Sequence, residues 1–193
     1  MLAELSFRSD NQVPTMNPSD DVITSIDRLH AEDPAQRELA YAQRMTHWLE
    51  QLDPAAGPLL RIAVRAQHLQ RWQRPRADYP AGRTGYLTWR RDAAAHHADL
   101  VAVVMRRHGF ADADIERVVG LVKKRGIGRD TGAQTLEDCA CLTFLEADLA
   151  TFAQKHPPPK VAEILDKTWR KMSPAAQRLA QALLPAPHHR DRR

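Results

Sequence analysis

Residues 65–97, RAQHLQRWQRPRADYPAGRTGYLTWRRDAAAHH, decide how the rest of the chain is read. Two helix-like ends, carrying His68 and His97, bracket an irregular loop rich in arginine and aromatic residues. At the first end Leu59, Ile62, Ala63, Ala66 and Leu69 recur at helical spacing, which predicts a helix from about Leu59 to Trp72. Pro75, Pro80, Gly82 and Gly85 argue against regular structure until Tyr86, where a second helix begins and runs to His108.

Working outward, Ser19 or Asp20 caps a helix carrying Val22, Ile23, Ile26 and Leu29. Asp33-Pro34 places a cap before proline at a first helical position and opens a helix through Leu39, Met45, Leu49 and Leu52. Asp112 to Arg125 carries Ile115, Val118, Val119 and Val122 on one stripe, and Gly126 and Gly128 end it. Thr135 starts the strongly apolar LEDCACLTFLEADLATFA, closed by the prolines at 157 to 159. Shorter helices follow near Lys160–Met172 and Pro174–Leu184. No segment alternates with period two and no internal repeat is visible. The expectation is an all-α fold: a single helical domain of seven or eight helices over 19–184. A mobile tail, 1–18, precedes it and a disordered one, 185–193, follows.

The chain has 193 residues, enough for one core, and its 43% hydrophobic and 27% charged content argues against general disorder. Basic charge is clustered. Between Arg61 and Arg91 eight arginines face a single acid, Asp78, which suits phosphate or nucleic acid, or else a solvated face. No apolar run approaches the roughly 18 residues of a membrane span. Cys139 and Cys141 point about 200° apart on a helix, a poor arrangement for a bridge. Two thiols without a leader segment point to a reducing, cytoplasmic setting.

The residues able to do chemistry fall into three groups. On a continuous helix His68 lies away from the apolar stripe, with Arg61, Val64, Arg71 and Trp72, as a metal ligand or a surface residue. His97 aligns with Ala93, Leu100, Val101 and Val104, as a ligand or a satisfied core histidine, whereas His96 shares a wetter face with Asp92 and Asp99. Thr135-x-x-Asp138 has the form of a capping box, yet Asp138 also aligns with Leu142, Leu145 and Leu149, and a carboxylate projecting inward requires a cation or donors. Glu137 is on a neighbouring face with Cys141 and Asp148. In the loop, Arg71, Arg74, Arg76, Arg83 and Arg90 offer planar donor forks, and Trp72, Tyr79, Tyr86 and Trp89 offer rings for stacking or for sealing the domain. No Gly-rich phosphate loop, G-x-S-x-G, H-E-x-x-H or C-x-x-C motif is present.

The order His68, His96/His97, Asp138 resembles the HD phosphohydrolase superfamily, although Ala98 stands where that family has the aspartate of its His-Asp pair. The likeness implies an HD-like helical fold holding a divalent metal ion on His68, His97 and Asp138. A second likeness covers more of the chain. YAQRM (41–45), RAQHLQRW (65–72), PRADYP (75–80), GYLTWR (85–90), HHA (96–98), QTLEDCACLTFLE (134–146) and KTWRKMS (167–173) together resemble the domain of unknown function 4202 family of bacteria, fungi and plants. Some eukaryotic members carry a glutamyl-tRNA synthetase label. This chain is too short for such an enzyme, and its KMS at 171–173 is followed by proline. That resemblance implies that His68, Arg71, Trp72, Arg76, Arg83, Tyr86, Arg90, His97, Gln134, Glu137 and Asp138 belong to recurring motifs of one shared site.

The leading expectation is a metal-dependent hydrolase of a phosphorylated small molecule or nucleotide. Glu137 and Asp138 would be its catalytic carboxylates. Arg71, Trp72, Arg76, Arg83, Tyr86 and Arg90 would contact substrate. The alternative is a non-catalytic RNA-binding module, tRNA included, using the arginine/aromatic loop 71–91. A helical partner protein with a merely buried polar network is a third.

Overall fold

The computed structural model describes residues 17–184, so the expected tails lie outside the described residues except for Asn17 and Pro18. Those two begin the first helix, α1 (Pro18–Ala31): Asn17 accepts the Ser19 amide at 3.3 Å and proline fills the first helical position. The cap therefore falls two or three residues before the expected Ser19 or Asp20. The remaining helices are α2 (Glu38–Leu52), α3 (Pro58–Arg65), α4 (Gly82–Arg107), α5 (Asp112–Val122), α6 (Thr131–Thr143), α7 (Leu149–Lys155), α8 (Pro158–Lys171) and α9 (Pro174–Gln181). All regular structure among the described residues is helical. The all-α single domain expected from the periodicity is the observed one; among the described residues a ninth helix arises where a π-turn, Phe144–Asp148, divides the apolar helix into α6 and α7.

The core is one cluster. Ile26, Met45, Leu49, Ile62, Leu69, Met105, Leu121, Leu136 and Leu142 are all fully buried, each such side chain contributing about 1.5–3 kcal/mol. α2 lies against α3 and α6, and α5 against α3 and α4. Arg65 ties α3 to α1 by a bidentate pair with Asp27, at 2.6 and 2.7 Å, and its third nitrogen, Nη1, donates to Thr46 Oγ1 at 3.0 Å. α8 is different. It packs chiefly on α6 and α7, and of its residues Thr168 alone is buried, while Val161, Ile164, Leu165 and Trp169 are half-covered.

Several helix ends differ from the periodicity, each for a local reason. α2 starts at Glu38 because the Asp33 carboxylate accepts the amides of Ala35, Arg37 and Glu38, which places Pro34 in the preceding turn. α3 ends at Arg65 rather than Trp72: His68 (φ 62°) and Gln70 (φ 50°) adopt left-handed backbone, each costing about 1–3 kcal/mol. Tertiary contacts hold them there. Leu69 is fully buried, and Gln70 bonds Glu32 and Gln73 at 2.9 and 3.0 Å. α4 begins four residues earlier than expected, at Gly82, so Gly85 lies within its first turn. A Cβ at Gly85 would stand 1.9 Å from the Pro80 carbonyl oxygen, so only glycine lets the helix approach this close to the loop. α6 starts at Thr131 under an Asp130 cap, and Thr135 bonds back to the Thr131 carbonyl, so the Thr135–Asp138 capping box is not formed.

Candidate functional site

The early end of α3 turns the chain so that His68 and Arg71 face α4, while α6 brings Glu137 up from below. The result is a cleft of about 1790 Å³ between α4 and α8. One wall is the face of α4 bearing Arg83, Tyr86, Arg90 and His97. The opposite wall is the face of α8 bearing Lys160, Glu163, Ile164, Lys167 and Lys171, with Phe144, Phe152 and His156 at its foot. Among the described residues, seven arginines and five lysines line the cleft against two glutamates. No helix of the described residues is long and apolar enough to cross a membrane.

At one end of the floor His68 stacks on Tyr41, with ring centroids 4.2 Å apart and planes 17° from parallel. Arg71 Nη1 lies 2.8 Å from His68 Nε2 and 3.0 Å from Nδ1; a guanidinium can only donate, so the imidazole accepts. The same guanidinium covers the Trp89 ring at 4.8 Å, and the Trp89 indole N–H donates to the Arg74 carbonyl at 2.8 Å. Burial, reinforced by Arg71 and His97, holds His68 well below the usual histidine range. Burial also lowers His97 to about 3, so both rings are neutral at neutral pH. Glu38, whose Oε2 is 3.7 Å from His68 Nδ1, is pushed up to about 7 by burial against the pull of Arg71.

At the other end Glu137, 5% exposed, accepts Lys124 Nζ at 2.5 Å and has Lys171 Nζ at 3.6 Å. Burial opposes its ionisation, but Lys124, by charge and hydrogen bond, with Lys171 and Arg90, carries it below the ordinary carboxylate range. Lys124 reaches this place because it follows α5 in left-handed backbone, φ 53°. One carboxylate between two ammonium groups leaves net positive charge.

The cleft gathers most of the residues expected from sequence but not all. His68, Arg71, Arg76, Arg83, Tyr86, Arg90, His97 and Glu137 line it; Trp72, Arg74 and Asp138 do not. Trp72 is half-buried in a short 3₁₀ turn, and the tryptophan at the cleft is Trp89. Arg76 spends its guanidinium on the carbonyls of Tyr79 and Pro80, at 2.8 and 2.9 Å, bracing the loop. Asp138 is buried as expected, but its Oδ1 accepts Gln134 Nε2 and the Ser173 amide, both at 2.9 Å, joining α6 to the start of α9.

The residues do not fit a metal. His68 is engaged by Arg71, Glu137 by two lysines and Asp138 by Gln134 and Ser173. Among the described residues no three His, Cys, Asp or Glu side chains are grouped to hold one. Sequence reasoning passed over Lys124, Glu38 and Tyr41, and also the α8 wall. For α8 the signal was present: Lys160, Lys167 and Lys171 recur at intervals of seven and four, one helical face.

The fold and cleft define an all-helical domain with one strongly basic, ring-walled groove. The chain belongs to the family described as a domain of unknown function, DUF4202, whose model matches residues 20–191. No curated protein and no solved structure gave a significant match.

Proposed function

We propose that the protein binds a phosphorylated small molecule or nucleotide in the cleft between α4 and α8. The observation that supports this reading is unbalanced charge. Twelve cationic side chains surround two carboxylates, and both carboxylates are already matched, Glu137 by Lys124 and Lys171, Glu163 by Lys160 and Lys167. Cations gathered on both walls of one cleft favour an anion of matching shape. Arg71, Arg90, Lys124 and Lys171 are the phosphate contacts in this reading, and Tyr86 is a platform for a flat ring. Among the described residues the donor set that metal-assisted hydrolysis requires is not gathered. Residence in a reducing cytoplasm goes with the same reading, supported by the free, buried Cys139 and Cys141, whose thiols burial pushes up to about 12.

The test is calorimetric titration of the full chain with pyrophosphate, AMP and ATP at several salt concentrations. One ligand per chain is expected, with affinity falling as salt rises and weakened by Lys124→Met and by Arg90→Met. Absence of binding to any of the three at low salt would overturn the reading.

A further inference from the structure

The cleft is larger than one nucleotide requires. Pockets for single small ligands occupy roughly 300–1,000 Å³, whereas this one measures about 1790 Å³. Its apolar surface is also divided between the two walls. On α4, Tyr86 is 43% exposed and has the Arg90 guanidinium 5.9 Å from its ring centre. At the foot of α8, Phe152 and the exposed His156 lie with ring centroids 4.2 Å apart and planes 37° from parallel. The lysine pair held by Glu137 belongs to the same cleft. Rings accessible to a groove, with cations fixed beside them, are what flat bases and their phosphates recognise.

Resting on the phosphate-binding reading, we propose that the ligand carries two flat rings joined through phosphate. One ring lies on Tyr86, the other on the Phe152–His156 pair, and the phosphate bridge meets Lys124 and Lys171. Two sources share this chemistry: a dinucleoside polyphosphate and the end of a single-stranded nucleic acid.

The full chain is titrated with ATP, diadenosine tetraphosphate, and the ribo and deoxy forms of a triadenylate. At least one two-ring ligand binds at least about tenfold more tightly than ATP, the gain a second stacked base provides. Tyr86→Ala and His156→Ala each remove most of that gain. Both positions are exposed, and an unchanged thermal melt verifies that each variant is folded. Tighter binding of diadenosine tetraphosphate than of triadenylate supports the proposal with the small molecule as source; the reverse order supports it with the strand. ATP binding as tightly as every two-ring ligand overturns the two-ring proposal and leaves the phosphate reading standing. Failure of all these compounds, pyrophosphate included, overturns both.

Discussion

Nδ1 of His97, midway along α4, lies 2.8 Å from the carbonyl oxygen of Leu69, twenty-eight residues earlier in the chain. A carbonyl only accepts, so Nδ1 carries the proton and the ring is held as one neutral tautomer. This bond helps fix the left-handed turn at His68 and Gln70, and with it the position of Arg71.

Folding stability is therefore expected to depend on pH below neutrality. His30, His68, His96 and His97 are all lowered, chiefly by burial. Above the unfolded histidine value near 6.5 their contribution is complete. As pH falls from there the unfolded chain takes up protons that the folded one refuses, at about 1.4 kcal/mol per proton per pH unit. Glu38 acts in the opposite sense. Raised from 4.5 to about 7, it keeps a proton in the folded state that the unfolded chain releases across that window, so its share is lost as pH rises. Four histidines outweigh one glutamate. Denaturant melts should show stability dropping between pH 6.5 and 5, less steeply in His97→Asn and more steeply in Glu38→Gln. A flat profile would refute the neutral imidazoles.

Asp138→Ala should lower stability without altering ligand affinity. Its carboxylate satisfies the Gln134 amide and the Ser173 backbone N–H, a pair of charge-assisted bonds worth about 1.5–3 kcal/mol each at most. The melting temperature should fall by about 2–4 °C per kcal/mol lost. Lost affinity at an unchanged melting temperature would place Asp138 in the site instead.

Gln67 makes a sharper case. It is 5% exposed and lines the cleft, and its Nε2 has no partner among the described residues. A buried unmet donor costs about 1–3 kcal/mol. Gln67→Met, close in shape, should raise the melting temperature while weakening nucleotide binding in calorimetry. A variant that binds as the parent does would show that the amide plays no part in recognition.

Glu137→Gln distinguishes a counter-charge from a ligand contact. If the carboxylate only restrains Lys124 and Lys171, removing its charge should tighten pyrophosphate binding severalfold and lower stability. Lys124→Met should weaken the same binding. Loss of binding in Glu137→Gln would mean that the carboxylate touches the ligand.

Gly85→Ala should destabilise by about 1–3 kcal/mol or more, since the new methyl would meet the Pro80 carbonyl oxygen at 1.9 Å and must displace the loop. A melt within error of the parent would show that the loop yields freely.

What was legible in the sequence followed the reach of the forces involved. The stripes of α1 and α5 were plain because apolar spacing along a helix is local. The end of α3 was not, since Ala66 and Leu69 continue the apolar spacing through a turn that is no longer helical. The left-handed residues there depend on Glu32 and His97, partners about thirty residues away that no local pattern names. Asp138 illustrates the limit of helix phase. Its burial was readable from Leu142 and Leu145, but phase does not tell which neighbour waits inside, and the neighbour is the α9 start rather than the cleft. The arginine loop drew the eye by composition, yet Arg76 spends its donors on the loop itself, while the sparser lysines of α8 face the cleft.

The π-turn at Phe144–Asp148 also governs the geometry beyond it. A turn of that kind takes in one residue more than its α-helical neighbours. Rewinding the same five residues as regular α-helix would swing everything downstream by roughly 100° about the helix axis. Phe152, His156 and the lysines of α8 would then point elsewhere, so the spacing between the two walls hangs on the wider winding of that one turn.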